Sequence, residues 1–185
     1  MVKKTITAMK TIAIIMLAMM FSVNLAAQQT KNTPKTKEQK AAEKEMKFQG
    51  MHNLLNDKSF ILEADYLGNG FDRRPVVAAL NFVMVDSTAT VVQTGNNFGV
   101  GYNGVGGLTV EGKVSNYTIV KDKKHRSFTV TWNMSSTIGF YTIFMNVSPS
   151  GRATATLTGN TSGKLVYDGW LVPASESRTF TGSRQ

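Results

Sequence analysis

Arg152-Ala153-Thr154-Ala155-Thr156-Leu157-Thr158 changes character at every step. Successive side chains of a strand leave opposite faces. Ala153, Ala155 and Leu157 therefore share one side, and Arg152, Thr154, Thr156 and Thr158 the other. Such alternation marks an antiparallel strand buried on one face and wet on the other. The same period of two extends in both directions. In Arg126–Met134, Phe128, Val130 and Trp132 oppose Thr129, Thr131 and Asn133. In Phe60–Leu67, Phe60, Leu62, Ala64 and Tyr66 oppose Ile61, Glu63, Asp65 and Leu67. Leu80–Val85 and Ala89–Thr94 flank Asp86-Ser87-Thr88 and read as a hairpin. Leu108–Lys113 and Val114–Val120 read as one long strand bent at Gly112, since an isolated strand glycine suggests a bulge. Ile138–Val147 is apolar on both faces, as expected of a central strand or one lining a closed barrel. Lys164–Val172 ends at Pro173.

These segments make eight or nine strands joined by short turns, with no helix between them. Short connections force antiparallel neighbours, because a parallel crossover needs about a dozen residues. The expected fold is mainly β: an eight- to nine-stranded antiparallel meander closed into a lipocalin-like barrel or stacked as a sandwich. Both manage the sheet edges, and both give the same alternation.

Upstream of the strands the period changes. Lys37–Asp57 is rich in strong helix formers, and Thr36 with Gln39 resembles a capping box. Its apolar positions, Met46, Phe48, Met51, Leu54 and Leu55, fall in the second half. That half is expected to pack on the sheet, with the first half a solvated extension. Residues 28–36, with Pro34, read as a disordered lead. Residues 1–27 combine Lys3, Lys4 and Lys10 with the 13-residue apolar run Thr11–Val23 and the small-residue exit Ala26-Ala27. This is the pattern of a secretory signal peptide, and the run is shorter than the roughly 20 residues that span a bilayer. The organisation expected is a signal peptide (1–27), a lead (28–36), a helix (37–57), a β domain (59–175) and a loose polar tail (176–185).

The chain has 185 residues and no cysteine, which excludes disulfides, thiolate metal sites and a lipid-modified cysteine anchor. The formal charge is +9, but three lysines lie in the signal, leaving 18 basic and 12 acidic residues. The remaining surplus is divided between residues 28–58 and the β domain. Basicity is thus not focused as a nucleic-acid partner requires. A periplasmic or secreted location follows, with no nucleic-acid partner and no membrane span after cleavage.

Motifs for chemistry are sparse. Gly95–Gly107 holds six glycines in 13 residues, and Gly99–Gly104 matches G-x-G-x-x-G in form. The dinucleotide motif needs a helix after it; here a strand follows, so the stretch reads as a long loop or a glycine-kinked edge. Its Asn97, Tyr102 and Asn103 offer amide and phenol contacts for a ligand. Gly159–Lys164 is one residue short of a phosphate loop, with Leu165 in place of Ser or Thr. His52 and His125 form no close pair, and His125 reads as a solvated turn residue. Glu63 and Asp65 share a strand face, as a polar outer wall or as a carboxylate pair for glycan hydrolysis.

Gly104-Val105-Gly106-Gly107-Leu108-Thr109-Val110-Glu111-Gly112 with Ser115-Asn116-Tyr117 resembles an uncharacterised family of secreted Bacteroidetes proteins grouped as a domain of unknown function. Phe60–Ala64, Arg152–Ala155 with Gly159, and Val172-Pro173 with Ser175 match it in order. The resemblance covers about residues 40–180. It implies an envelope or secreted location and a β-rich domain, and it carries no functional residue over.

The expectation for function is a non-enzymatic domain, without cofactor or metal, that binds a small molecule, a glycan or an envelope protein. The ligand-contact candidates are Asn97, Tyr102, Asn103, Trp132 and Tyr141. In a closed barrel with an apolar lumen, Tyr66, Trp132, Tyr141 and Phe144 are the expected lumen residues. The alternatives are an envelope structural or interaction protein using the charged helix, and a glycan hydrolase.

Overall fold

A computed structural model of the protein describes residues 36–96, 101–160 and 163–182. The segment expected as a signal peptide (1–27), the expected lead up to residue 35 and Asn97 lie outside these residues. In the unit Met1–Lys40, the described part is the start of helix α1 (Lys37–Asp57). Thr36 N–H donates to Gln39 Oε1 at 3.0 Å and Gln39 N–H donates to Thr36 Oγ1 at 3.2 Å. This reciprocal pair satisfies two of the donors that a helix start leaves open.

In the unit Ala41–Gln185, nine strands follow: β1 (Ser59–Gly68), β2 (Arg73–Pro75), β3 (Phe82–Asp86), β4 (Ala89–Thr94), β5 (Leu108–Asp122), β6 (Ser127–Ser136), β7 (Gly139–Val147), β8 (Arg152–Gly159) and β9 (Lys164–Pro173). Every neighbouring pair is antiparallel. β9 also pairs with β1, so eight strands close into a barrel and the short β2 extends the sheet beside β1. The choice between barrel and sandwich is settled by that closing pair, which runs from Phe60↔Pro173 to Gly68↔Val166.

Two irregularities shape the wall. Ala64 pairs with Gly169 and Tyr66 with Asp168, so Asp65 is an extra residue in β1. The bulge reverses the parity of the strand. Phe60, Leu62 and Ala64 face the interior, but beyond the bulge Leu67 does so and Tyr66 turns outward under the Arg73 guanidinium, 3.9 Å from its ring. Tyr66 is therefore not a lumen residue. In β5 the register shifts between Ser115 and Thr118, at Asn116 in the left-handed region (φ 52). The bend expected at Gly112 thus lies four residues later. Gly112 serves close approach instead: a Cβ there would stand 2.7 Å from the Met134 side chain and 2.7 Å from the Ser135 carbonyl.

The interior is packed most densely toward one end. Trp132 is fully buried, with Phe60 edge-on at 6.5 Å and Tyr117 at 6.2 Å. Helix α1 shuts that end. Phe48, Met51, His52 and Leu55 recur at the helical spacing, and Phe48 and Leu55 join the barrel core. Tyr117 Oη donates to the Leu55 carbonyl at 2.7 Å. Lys58, in the left-handed region (φ 50), ends the helix and turns the chain into β1. Met46, counted in the apolar stripe by composition, is 68% exposed because it falls off this face.

The described part of the C-terminal segment, up to Gly182, is bonded to the barrel. Phe180 N–H donates to the Ala79 carbonyl at 2.9 Å, and Gln93 Nε2 donates to the Phe180 carbonyl at 2.8 Å. Nearby, Ala174 packs on a small outer cluster of Ile61, Phe82 and Val91.

Candidate functional site

The end of the barrel away from α1 is built by the last turns of β4, β6 and β8 and the first of β5, β7 and β9. It opens into a cup of about 340 Å³. Val92, Leu108 and Val110 line one side, Met134 and Tyr141 another, and Leu157 and Leu165 a third, with Tyr167 at its floor. These are inward positions of their strands, so the alternation that folds the barrel also makes the cup apolar. Tyr167 is fully buried, and its hydroxyl donates to the Gln93 carbonyl at 3.1 Å. Burial in apolar surroundings pushes its phenol well above the usual range, so it stays neutral. Thr94 and Lys164 stand at the rim. A second groove of about 380 Å³ shares Thr94, Lys164 and Leu165 with the cup, and continues over Leu67, Asn69, Asp72, Arg73 and Arg74.

Of the residues singled out by sequence, Tyr141 lines this cup. Trp132 lies deeper in the packed core, and its indole N–H has no hydrogen-bond partner. Phe144 is 44% exposed on the outer wall, because β7 turns Ile143 and Met145 inward and Phe140 and Phe144 outward. With apolar residues on both faces, the parity of that strand was open, and the lumen assignment of Phe144 is corrected. Sequence reasoning missed Leu108, Leu157 and Leu165 as lining. They belong to the ends of alternating strands, where nothing in composition separates a cup from a core.

The glycine-rich loop joins β4 to β5 at the same end. Tyr102 is 84% exposed. Asn103 is buried, and its amide is committed within the protein. Its Nδ2 donates to the Thr94 carbonyl and to Thr109 Oγ1, both at 3.0 Å. Its Oδ1 accepts from Val105 N–H at 3.1 Å and Gly107 N–H at 3.0 Å. Asn103 thus holds the loop together, with both polar atoms of its side chain engaged within the protein. Gly107 permits the closure, since a Cβ there would meet the Thr94 carbonyl at 2.1 Å. Thr109 passes the network on to Gln93 Oε1 at 2.7 Å, which also accepts from Gly182 N–H at 2.8 Å. A buried, satisfied amide cluster therefore ties loop, barrel and C-terminal segment together.

The strand carboxylates lie on the outer wall. Glu63 accepts from Ser177 Oγ at 2.6 Å and Arg178 N–H at 3.2 Å. Arg152 bridges Asp65, at 2.7 Å, and Asp168, and Asp168 also meets Arg73 at 3.2 Å. Hydrogen bonding to Asp65 and the two negative charges raise the Arg152 pKa further. His125 closes its own turn on Asp122 at 2.6 Å. Among the described residues, no three His, Asp or Glu side chains converge to hold a metal ion, and no helix is long and apolar enough to cross a membrane.

An eight-stranded up-and-down barrel, shut at one end by its N-terminal helix and hollow at the other, defines the class of protein. The chain belongs to the family described as Domain of unknown function (DUF4251), whose model matches residues 42–171. It is similar to the crystal structure of a DUF4251 family protein from Bacteroides eggerthii DSM 20697, with 26% identity and a TM-score of 0.59, over 71% of this chain and 91% of that one. No curated protein matches the sequence. The family resemblance read from the glycine-rich block and its companions is thereby confirmed.

Proposed function

We propose that this protein is a non-enzymatic, exported barrel that binds a small apolar molecule in the cup at its open end. The observation that carries the reading is the uneven filling of the interior. Bulky side chains and α1 close one half, while the other half leaves about 340 Å³ lined mainly by aliphatic side chains. Small-molecule sites typically run from about 300 to 1,000 Å³, with mostly apolar walls and a few polar groups that set orientation. Thr94, Tyr141 and Lys164 supply such groups here. The basic and apolar start of the sequence supports export to the periplasm or beyond the cell.

Native mass spectrometry of the protein purified from its own host tests the reading. The expected result is a reproducible small-molecule adduct that disappears on denaturing extraction. A bare chain that also fails to take up 1-decanol in titration would contradict it.

A further inference from the structure

We infer that the ligand is a single-chain carboxylate, with its alkyl chain in the cup and its anionic head between Lys164 and Arg74. This rests on the cup being a binding site and adds the chemical class of its occupant. On the adjoining wall, Arg152 and Arg73 are compensated by Asp65 and Asp168, a closed and neutral set. The groove that continues from the cup then keeps Arg74, Lys164 and Asp72, a surplus of one positive charge. Neither Arg74 nor Lys164 has a side-chain hydrogen bond or ion pair among the described residues.

Lys164 belongs to both hollows and connects them. Its stem crosses toward the β1–β2 turn, with Cδ 3.9 Å from where a Cβ on Gly70 would stand. A lysine lays its methylenes along apolar surface and keeps its ammonium in water. A ligand leaving the cup past Leu165 therefore meets a cation at the boundary between apolar wall and solvent. A carboxylate is the complementary head, while an alkylammonium would face Lys164 and Arg74 with like charge. At roughly 30 Å³ per water-sized group, the cup takes a chain of about ten carbons.

Calorimetric titration with decanoate and with 1-decanol, at low and at high salt, tests this on the whole protein and on the double variant K164Q/R74Q. Both positions are exposed, so the variant keeps the fold. Decanoate is expected to bind about tenfold more tightly than 1-decanol, as for charge-assisted hydrogen bonds, with the margin shrinking as salt screens it. In K164Q/R74Q the ratio of the two affinities falls toward one. Equal affinities in the unmodified protein would overturn the anionic head and leave the cup standing, as would a margin that survives in K164Q/R74Q. Binding of neither compound would overturn the cup itself.

Discussion

Phe48 of α1 stacks on Phe128 of β6, with ring centroids 4.6 Å apart and planes 18° apart, and this contact fixes which end of the barrel is shut. Phe128 opens β6 and pairs with Val147 at the end of β7, whereas the cup is built around Met134 and Tyr141 at the other end of the same two strands.

Truncating Phe48 removes an aromatic ring from the shut end of the core, where it stacks on Phe128. Phe48→Ala is expected to cost about 2–4 kcal/mol of unfolding free energy, read from urea melts with an unchanged denaturant slope. Met46→Ala, two residues away and 68% exposed, is expected to stay within about 0.5 kcal/mol. Equal losses at the two positions would contradict the docked face of α1.

The helix contact should also sense acid. Partial burial against Phe128 and the nearby positive Lys121 lower the pKa of His52. Asn56 Nδ2, 3.0 Å from His52 Nε2, can donate only to an unprotonated ring nitrogen. A histidine held below its unfolded value gives its full stability above pH 6.5, and that stability is lost as pH falls through the lowered folded value. Denaturation midpoints should therefore drop on passing into the acid range below neutrality, and the drop should shrink in His52→Gln. An identical pH dependence in that variant would show that the acid sensitivity lies elsewhere.

Asn103 and Tyr102 are neighbours with opposite roles. Asn103→Ala strands four backbone and hydroxyl groups that the amide now satisfies, at an expected cost of about 2–4 kcal/mol. It should also speed amide exchange at Val105 and Gly107. Tyr102→Ala, on a side chain 84% exposed, should change neither stability nor exchange. Protection at Val105 and Gly107 that survives loss of Asn103 would refute its structural role.

The strands and the helix were legible because burial writes itself as a period of two or of 3.6, and the antiparallel order followed from turns too short for a crossover. Closure was not, because the β9–β1 pair joins chain segments whose alternation is the same in a sandwich. Tyr66 shows a second limit. Counted from Phe60 it belongs inside, and only the extra residue Asp65, visible in the pairing with β9, sends it outward. Phe144 shows a third: with Phe140, Ile143 and Met145 around it, either face of β7 can be the inner one. Of the site candidates, Tyr141 sits at the cup because its strand begins there. Asn103 was visible as a loop amide, but its burial depends on Thr94 and Thr109 across the turn.

The most direct measurement is a methyl-resolved NMR titration of the protein with 1-decanol, a probe with an apolar chain and no charge. The expected shifts fall on Val92, Leu108, Val110, Met134, Leu157 and Leu165 and saturate at one equivalent, while methyls near Phe128 at the shut end stay still. Shifts scattered over the outer wall around Phe140 and Phe144, or none at the cup, would contradict a ligand site in the open end of the barrel.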